Sequence, residues 1–400
     1  MTSEAWPALS WEPLPWQPAA QATWGVRAAS QASPTTYRAA VVPRIRGLHP
    51  VVSRDVAALA EEAGRELSCF DAEQGQRIAS FAPVLLRLEA ASSSQIENLT
   101  ASARAIFSAE LGVTRSGNAV EIAANTHALR AALDLAEEMT ADSIRRMHRV
   151  LMQAQPRHTP GRWRDEAVWI GSRSDSPVGA AYVAPRHERV PELMEDLTAF
   201  IAEDDAAAVV SVAVAHAQFE TIHPFTDGNG RTGRALAQAM LRHRGVTRNV
   251  AVPVSAGLLA DVEGYHAALD AYRAGDLDPI VRQLSLAALR AVANGRRLVE
   301  EIDEIRAGWD ERLTVRKSSK AWPLLDVLTR RPVLTSAAAA EELGVRQPNV
   351  YPPLRTLTEA GILQSKSEHR LGLFWRSDEV LAAIDAFAER ATCAFKALST

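Results

Sequence analysis

Apolar residues recur every three or four positions along most of this chain, which is the spacing of one face of an α-helix. The pattern begins at Ser53, a residue type that caps helix N-termini. It predicts helices over 53–69, 73–88, 118–138, 141–153, 205–222, 229–244, 257–274 and 277–312, with further helical sequence up to 111 and after 191. We therefore expect a mainly α-helical protein.

The first fifty residues lack this periodicity and are rich in proline and tryptophan. They contain Trp6, Trp11, Trp16 and Trp24. Because an indole that touches nothing is unfavourable in water, we expect the segment to be packed on something. We interpret it as an extended arm that lies either on its own domain or on a partner.

A second break in the helical pattern covers residues 156–189, which are dense in glycine, proline, serine and arginine. Within it lie two short apolar pieces, 167–170 and 181–183. Short apolar runs on either side of a Gly-rich loop are typical of a β-hairpin. We expect a small hairpin here and call it the flap.

The C-terminal segment predicts helix, helix, turn, helix and two strands, the order of a winged helix-turn-helix. Residues 316–376 carry a net charge of +5, against −9 in the remainder of the chain. This asymmetry suggests a separate domain with its own partner. Pro352 and Pro353 fall inside the expected recognition helix, so that this helix should be kinked or begin late. DNA and a protein both remain candidate partners.

Composition excludes several classes of protein. The chain has 400 residues, 47% of them hydrophobic and 23% charged, which is enough apolar residue to build cores. Its two cysteines, Cys69 and Cys393, exclude a disulfide scaffold. The N-terminus does not read as a signal peptide, and the longest apolar run, 206–215, is short of the ~20 residues of a membrane span. We expect a cytoplasmic protein without a membrane segment.

The candidate chemistry is concentrated in one stretch, His223-Pro224-Phe225-Thr226-Asp227-Gly228-Asn229-Gly230-Arg231-Thr232-Gly233-Arg234. Pro224 ends the preceding helix, so that the His223 ring can face a loop. The three residues 228–230 tolerate positive φ, which lets backbone N–H groups converge on an anion at the start of the next helix. Arg231 and Arg234 lie on the same side of that helix. The combination suits a phosphate ester with a metal ion.

Two other interpretations fit less of this stretch. Gly228, Gly230 and Gly233 match the GxGxxG spacing of dinucleotide-binding folds, but that motif follows a β-strand, and here a helix precedes it. A metal hydrolase would use His216, Glu220, His223 and Asp227, but no HExxH pair is present, and the glycines and arginines would have no role.

The stretch 223–234 matches, position for position, the Fic family signature HxFx[D/E]GNGRxxR, and the preceding residues 215–222 also resemble that family. The pieces 169–171, 182–185 and 190–194 resemble its flap and the helix after it. The resemblance covers roughly residues 50–300. Fic proteins are mostly helical enzymes that transfer AMP from ATP to a hydroxyl of a target protein, so the resemblance implies this fold and this activity.

The resemblance also implies a role for each residue. His223 would be the general base for a Ser, Thr or Tyr hydroxyl, and Asp227 would hold Mg²⁺. ATP would be bound by Gly228, Asn229 and its side chain, Gly230, Arg231 and Arg234, with the arginines on the β- and γ-phosphates. Phe225 would anchor the loop. Tyr182 and Val183 belong to the flap, which would hold the target backbone as an added strand.

A second Fic feature, the inhibitory motif [S/T]xxxE[G/N], matches Ser93, Glu97 and Asn98. By resemblance, Glu97 would pair with Arg234. A carboxylate there would take the partner of the γ-phosphate and repel the nucleotide tail. We therefore expect an autoinhibited enzyme that loses its inhibition when Glu97 is removed.

These observations predict three parts: an N-terminal arm and helical region with the inhibitory motif (1–115), a Fic core (116–312) and a winged helix-turn-helix domain (313–400). The expected function is an autoinhibited protein adenylyltransferase, and a homodimer is among the expected assemblies. Three alternatives stay open: a nucleotide-sensing transcriptional regulator, a Fic enzyme with another donor such as a choline derivative, and an enzyme that removes AMP.

Overall fold

The fold was analysed in a computed structural model, which describes residues 5–16, 35–75, 78–112, 116–153, 155, 158–171, 173, 175–368 and 372–393. Its helices are α1 (Arg54–Gly75), α2 (Ile78–Ile96), α3 (Ala103–Glu110), α4 (Gly117–Asp134), α5 (Ala141–Met152), α6 (Val190–Glu203), α7 (Ala208–Ile222), α8 (Asn229–His243), α9 (Val254–Leu259), α10 (Val262–Arg273), α11 (Asp278–Arg312), α12 (Ala321–Arg330), α13 (Ser336–Leu343), α14 (Tyr351–Glu359) and α15 (Asp378–Thr392). Its strands are β1 (Ser10–Trp16), β2 (Thr35–Val41), β3 (Trp169–Ile170), β4 (Tyr182–Val183), β5 (Val333–Thr335), β6 (Gln364–Glu368) and β7 (Gly372–Arg376). The expected mainly helical fold is confirmed.

Helix α7 lies inside the helical body. Every residue from Val209 to Ile222 is buried, and α8, α6, α11 and α1 pack against it. A helix that is hidden on all sides needs small and apolar residues all round, which the run Val209–Ala217 supplies. Because α7 ends where the loop 223–228 begins, the core fixes the position of that loop.

Two helices differ from the sequence prediction. Helix α2 continues through the serine-rich run 92–94 to Ile96, where we expected it to end at residue 88. The serines do not stop it, because the Ser94 hydroxyl donates to the Ala90 carbonyl 2.8 Å away, one turn earlier in the same helix. The same hydroxyl accepts from the Asn125 amide of α4 at 3.1 Å. The predicted helix 257–274 is two helices, because Asp261 caps α10 by accepting the Gly264 N–H at 2.9 Å.

The N-terminal arm is a β-hairpin on the chain's own core. Strands β1 and β2 pair antiparallel, with Ser10 opposite Val41. Trp11 packs edge-on against Tyr182 with ring centres 6.0 Å apart, and Trp16 meets Trp169 at 5.8 Å. The arm therefore lies on the flap, where β3 and β4 form the predicted antiparallel ladder. The prediction for Trp24 lies outside the described residues.

The C-terminal helices surround a three-stranded antiparallel sheet in the order β5-β7-β6. The sequence predicted α12, α13 and two of the strands, but it missed β5 and α15. Pro352 and Pro353 occupy the first turn of α14, where a missing N–H costs little, so this helix begins late. Helix α15 packs on α11, α9 and α3. None of the described helices has the length and apolarity that crossing a membrane requires.

Candidate active site

The loop between α7 and α8 begins at His223, which adopts a left-handed backbone with φ of 51°. Asn229 closes the loop: its side-chain oxygen accepts the Phe225 N–H, and its amide donates to the Phe225 carbonyl, both at 2.9 Å. The Asn229 side chain thus holds the loop through its oxygen and one of its two amide N–H donors. The assignment of this side chain to a phosphate stays a prediction.

Phe225 is completely buried beneath the loop. Its ring stacks on His148 with centres 3.6 Å apart and planes within 4°. His148 also reaches the loop from α5, since its Nε2 lies 3.1 Å from the Asp227 carbonyl oxygen. Burial lowers the pKa of His148 to about 4, so this ring is neutral at pH 7. The loop therefore rests on two stacked rings that carry no charge at pH 7, those of Phe225 and His148.

A buried arginine that the sequence analysis missed joins the loop to the flap region. Arg164 donates to the His223 carbonyl at 2.9 Å, to the Glu166 carbonyl at 2.9 Å and to the Pro185 carbonyl at 2.5 Å. Its backbone N–H donates to Pro224 at 3.0 Å. The planar guanidinium holds its five N–H donors in fixed directions and so reaches carbonyls on separate segments, whereas a lysine has three donors on a single nitrogen. No motif surrounds Arg164 in the sequence, so composition and spacing gave no signal for it.

The His223 ring is oriented by its own helix. Its Nδ1 lies 3.3 Å from the Glu220 carbonyl oxygen, which can only accept a hydrogen bond. The hydrogen therefore resides on Nδ1, and Nε2 carries the free lone pair. Burial lowers the pKa of His223 to about 4, so that the imidazole is neutral at pH 7. A neutral ring with an open Nε2 has the protonation state of a general base.

The first turn of α8 presents backbone N–H groups without partners further up the helix, as every helix N-terminus does. Gly228 precedes it with φ of 74°, a conformation that favours glycine. At Gly230 a Cβ would overlap the Glu97 carboxylate oxygen Oε1. A carboxylate thus lies against the Gly230 backbone in the position that an anion at this helix end would take.

Asp227 lies beside this helix end with its side chain 42% exposed. Its Oδ1 accepts the Gly228 N–H at 2.7 Å. Its Oδ2 lies 3.6 Å from His158 Nε2 and 3.9 Å from Arg231 Nη2. An accessible carboxylate oxygen at the mouth of an anion site fits a magnesium ion that accompanies a phosphate.

The two arginines near the start of α8, Arg231 and Arg234, point to different neighbours. The Arg231 side chain is 5% exposed and has distant acidic neighbours, Glu121 at 3.8 Å and Asp227 at 3.9 Å. Its Nε is buried without a hydrogen-bond partner among the described residues. A buried donor without an acceptor is costly, so Arg231 is suited to accept an anionic ligand.

Arg234 is held by the end of α2. Its Nε donates to Ser93 Oγ at 2.9 Å, and its Nη2 donates to the Ser93 carbonyl at 2.7 Å and to Glu97 Oε1 at 2.8 Å. Asn98 follows with a left-handed backbone of φ 61°, which ends the turn. Ser93 and Glu97 of the predicted inhibitory motif therefore contact Arg234 of the stretch 223–234.

The charges of this pair reinforce each other. Partial burial alone would raise the pKa of Glu97, but the charge and hydrogen bond of Arg234 outweigh it, and the pKa lies below its usual value. The Arg234 guanidinium has its pKa raised by Glu97 in spite of burial. Both groups are therefore charged at pH 7, and the carboxylate is the anion that this arginine holds.

The flap residues face inward. Tyr182 and Val183 are both about 4% exposed, and the Tyr182 hydroxyl donates to the Thr221 carbonyl, two residues before His223. Ile170 on the partner strand is 47% exposed. The flap is thus fastened to the helix that carries His223, and the exposed part of this ladder is β3.

Comparison with known proteins was made on the whole chain. Residues 138–241 match the model of the Fic/DOC family. The chain is 32% identical over 150 residues to "Protein adenylyltransferase fic-1" of Caenorhabditis elegans, which covers 37% of this chain and 27% of that protein. It is 34% identical over 93 residues to "Probable protein adenylyltransferase aq_aa38" of Aquifex aeolicus, covering 21% and 29%.

The match thus spans between about a quarter and a third of these curated relatives. Among solved structures, a Fic family protein from Desulfovibrio desulfuricans G20 superposes with a TM-score of 0.53 at 21% identity, over 82% of this chain and 97% of that one. At this identity the superposition supports a shared fold and carries no statement about activity.

Proposed function

With a Fic/DOC family domain at residues 138–241 as the premise, we propose that this chain is an autoinhibited protein adenylyltransferase. It transfers AMP from ATP to a Ser, Thr or Tyr hydroxyl of a protein and releases pyrophosphate. The observation that carries the proposal is the Glu97 carboxylate, which lies against Gly230 and binds Arg234 at 2.8 Å. An anionic oxygen already held at this helix end supports a site for phosphate.

The proton transfer is assigned to His223. Its Nε2 lone pair is free because Nδ1 is turned to the Glu220 carbonyl. As the hydroxyl oxygen of the target attacks the α-phosphate, Nε2 takes its proton, the new P–O bond forms, and the bond to pyrophosphate breaks. Arg164 holds the His223 carbonyl at 2.9 Å and so keeps the ring in position during this step.

The nucleotide phosphates are assigned to the start of α8. The backbone N–H groups of Asn229 and Gly230 would stabilise the charge that builds on the α-phosphate. The Gly228 N–H would join them once it leaves Asp227 Oδ1, to which it donates at 2.7 Å. Arg231 would donate a hydrogen bond to the phosphates from its Nε, which has no acceptor among the described residues. Arg234 would release Glu97 and bind the γ-phosphate instead. Asp227 would hold Mg²⁺ through its accessible Oδ2, and the ion would neutralise the leaving pyrophosphate.

Inhibition follows from the same contacts. While Glu97 occupies Arg234, a γ-phosphate has no partner there and meets a second negative charge. Arg234 is also held by the Ser93 hydroxyl and carbonyl, so the paired arrangement is expected to persist until a signal or a mutation displaces Glu97. The proposal therefore predicts a basal activity far below the capacity of the site.

Intact-protein mass spectrometry tests the proposal on the full chain. After incubation with ATP and Mg²⁺, Glu97→Gly should carry added AMP on its own residues, wild type much less, and Glu97→Gly with His223→Ala none. Equal amounts of added AMP in wild type and Glu97→Gly would contradict the proposed inhibition by Glu97. The absence of any adduct in Glu97→Gly, with extracts of the native cell added as target, would remove the transferase itself.

A further inference from the structure

Helix α7 carries a buried acidic residue, Glu220, close to His223. Glu220 lies one turn before His223, and its carboxylate side chain is only 8% exposed. Its Oε1 is buried without a hydrogen-bond partner among the described residues. A buried carboxylate that no donor satisfies is costly for folding, so its presence calls for an explanation in function.

The Glu220 carboxylate lies next to the His223 ring and to the start of α8. Its Oε2 lies 4.0 Å from His223 Nδ1, on the side of the ring opposite to Nε2. Its Oε1 lies against α8, because a Cβ built at Gly233 would come within 2.5 Å of it. Only glycine at position 233 leaves room for this arrangement. The carboxylate therefore lies between the imidazole of α7 and the first turn of α8.

We infer that Glu220 is a positioning residue for AMP transfer, whose negative charge stabilises the His223 imidazolium while the hydroxyl proton is on Nε2. The inference rests on the proposed function. The proton on Nδ1 stays with the Glu220 carbonyl, and the carboxylate neither gains nor loses a proton during the step. An opposite charge within 4–6 Å favours the charged form of a histidine by a factor of about ten or more.

The surroundings of Glu220 decide when this charge is present. Burial raises its pKa to about 7, the charges of Arg234 and Arg273 lower it, and the charge of Glu97 raises it. Tyr265 and His216 lie near the same arginine and are joined by a 2.8 Å hydrogen bond. Burial raises the pKa of Tyr265 and lowers that of His216 to about 4, so both are uncharged at pH 7. The ionisation of Glu220 therefore falls near neutral pH, where His223 is already neutral.

The test uses the full-length Glu97→Gly protein, in which the inhibitory carboxylate is absent. The rate constant for self-labelling at saturating ATP and Mg²⁺ is measured from pH 5.5 to 9. We expect the rate to rise through one ionisation and to level off above it. Adding Glu220→Gln should remove the rise: the two proteins should agree at the acid end and differ by about tenfold to a hundredfold at the alkaline end. The ATP concentration for half-saturation should be unchanged.

A matched control is available on α2. Glu89 is also buried, and burial raises its pKa to about 7, but its carboxylate is bound to Ser255 through the hydroxyl at 2.6 Å and the N–H at 2.9 Å. Glu89→Gln in the same background should leave the rise in place. A profile that Glu220→Gln leaves intact, or that Glu89→Gln abolishes instead, would overturn the inference. A Glu97→Gly protein without any transfer at all would refute the proposed function instead.

Discussion

Arg164 shows how much of the site depends on a residue that does no chemistry. It is 2% exposed, and its guanidinium satisfies carbonyls on both the loop and the flap side. Arg164→Met should lower the free energy of unfolding by about 3 kcal/mol or more, because buried carbonyls lose their donor at a cost of about 1–3 kcal/mol each. Urea denaturation measures this.

The control for that variant is Arg186→Met. Arg186 is 45% exposed in its side chain and forms a surface ion pair with Glu188 at 3.0 Å, so its replacement should leave the unfolding midpoint essentially unchanged. An equal loss in both variants would mean that the buried hydrogen bonds of Arg164 contribute nothing particular to stability.

Ser93 offers a graded test of the inhibitory contact. Its hydroxyl accepts from Arg234 Nε at 2.9 Å, while Glu97 keeps the Nη2 hydrogen bond. Ser93→Ala should therefore weaken the contact without abolishing it, and self-labelling should fall between that of wild type and that of Glu97→Gly. Ser94→Ala is the matched control, since the Ser94 hydroxyl bonds to the Ala90 carbonyl and to the Asn125 amide of α4 instead of to Arg234. Labelling in Ser94→Ala that exceeds that in Ser93→Ala would contradict the assignment.

The individual residues that the sequence predicted are those in short motifs, the stretch 223–234 and the pattern from Ser93 to Asn98. Glu97 and Arg234 are 137 positions apart, and the sequence placed them together only because each lies in a short pattern. Arg164 lies in no pattern, and its role depends on carbonyls that the fold brings to it. The hydrogen bonds between the Asn229 side chain and the Phe225 backbone were not predicted, because they depend on how the loop folds back on itself.

Helices α9 and α11 pack closely at Gly257. At Gly257 a Cβ would overlap the carbonyl oxygen of Ala287. Gly257→Ala should therefore force the helices apart and lower the free energy of unfolding by about 1–3 kcal/mol. The comparison is Gly308→Ala on α11, where nothing lies within 4 Å of the added carbon.

Gly308→Ala should instead stabilise the protein by about 0.5–1 kcal/mol, because alanine in a helix interior loses less conformational entropy than glycine. Thermal unfolding of the two variants in parallel gives the sign of each effect. Stabilisation in both variants would show that α9 and α11 are not in close contact.

The elements were predicted well where apolar spacing was regular and poorly where contacts decided their ends. Helices α5 and α8 agree with the predicted segments within about two residues. Helix α2 ran past its serines because Ser94 bonds to its own helix. Strand β5 has three residues, too few for a period of two to be recognised, and it exists because β7 pairs with it.

Stability of the whole molecule should depend on pH through its buried carboxyls. Burial raises the pKa of Glu89 to about 7, so the folded state keeps a proton that the unfolded chain loses near pH 4.5. The stability that this group contributes is complete below pH 4.5 and is lost as pH rises through 7.

Glu89→Gln should therefore gain stability relative to wild type between pH 5 and pH 8, by about 3 kcal/mol at 1.36 kcal/mol for each pKa unit. Urea denaturation of both proteins at the two pH values gives the difference, in which the hydrogen bonds to Ser255 cancel. A difference that does not change with pH would place the ionisation of Glu89 outside this range.

The parts of the molecule meet at helix α2. It packs against α4 and α9, and against α12 and α15 of the C-terminal segment. The helix that leads to Glu97 thus contacts both the body of helices around the loop 223–228 and the C-terminal helices. Sequence analysis treated these as separate parts, because a charge pattern shows composition but not packing.

The fate of the individual phosphates of ATP tests the central claim most directly. Full-length Glu97→Gly is incubated with Mg²⁺ and ATP labelled either at the α- or at the γ-phosphate, and the label bound covalently to protein is counted. We predict incorporation of the α-label alone, and its loss when His223→Ala is added. Covalent γ-label, or α-label that persists without His223, would contradict the account.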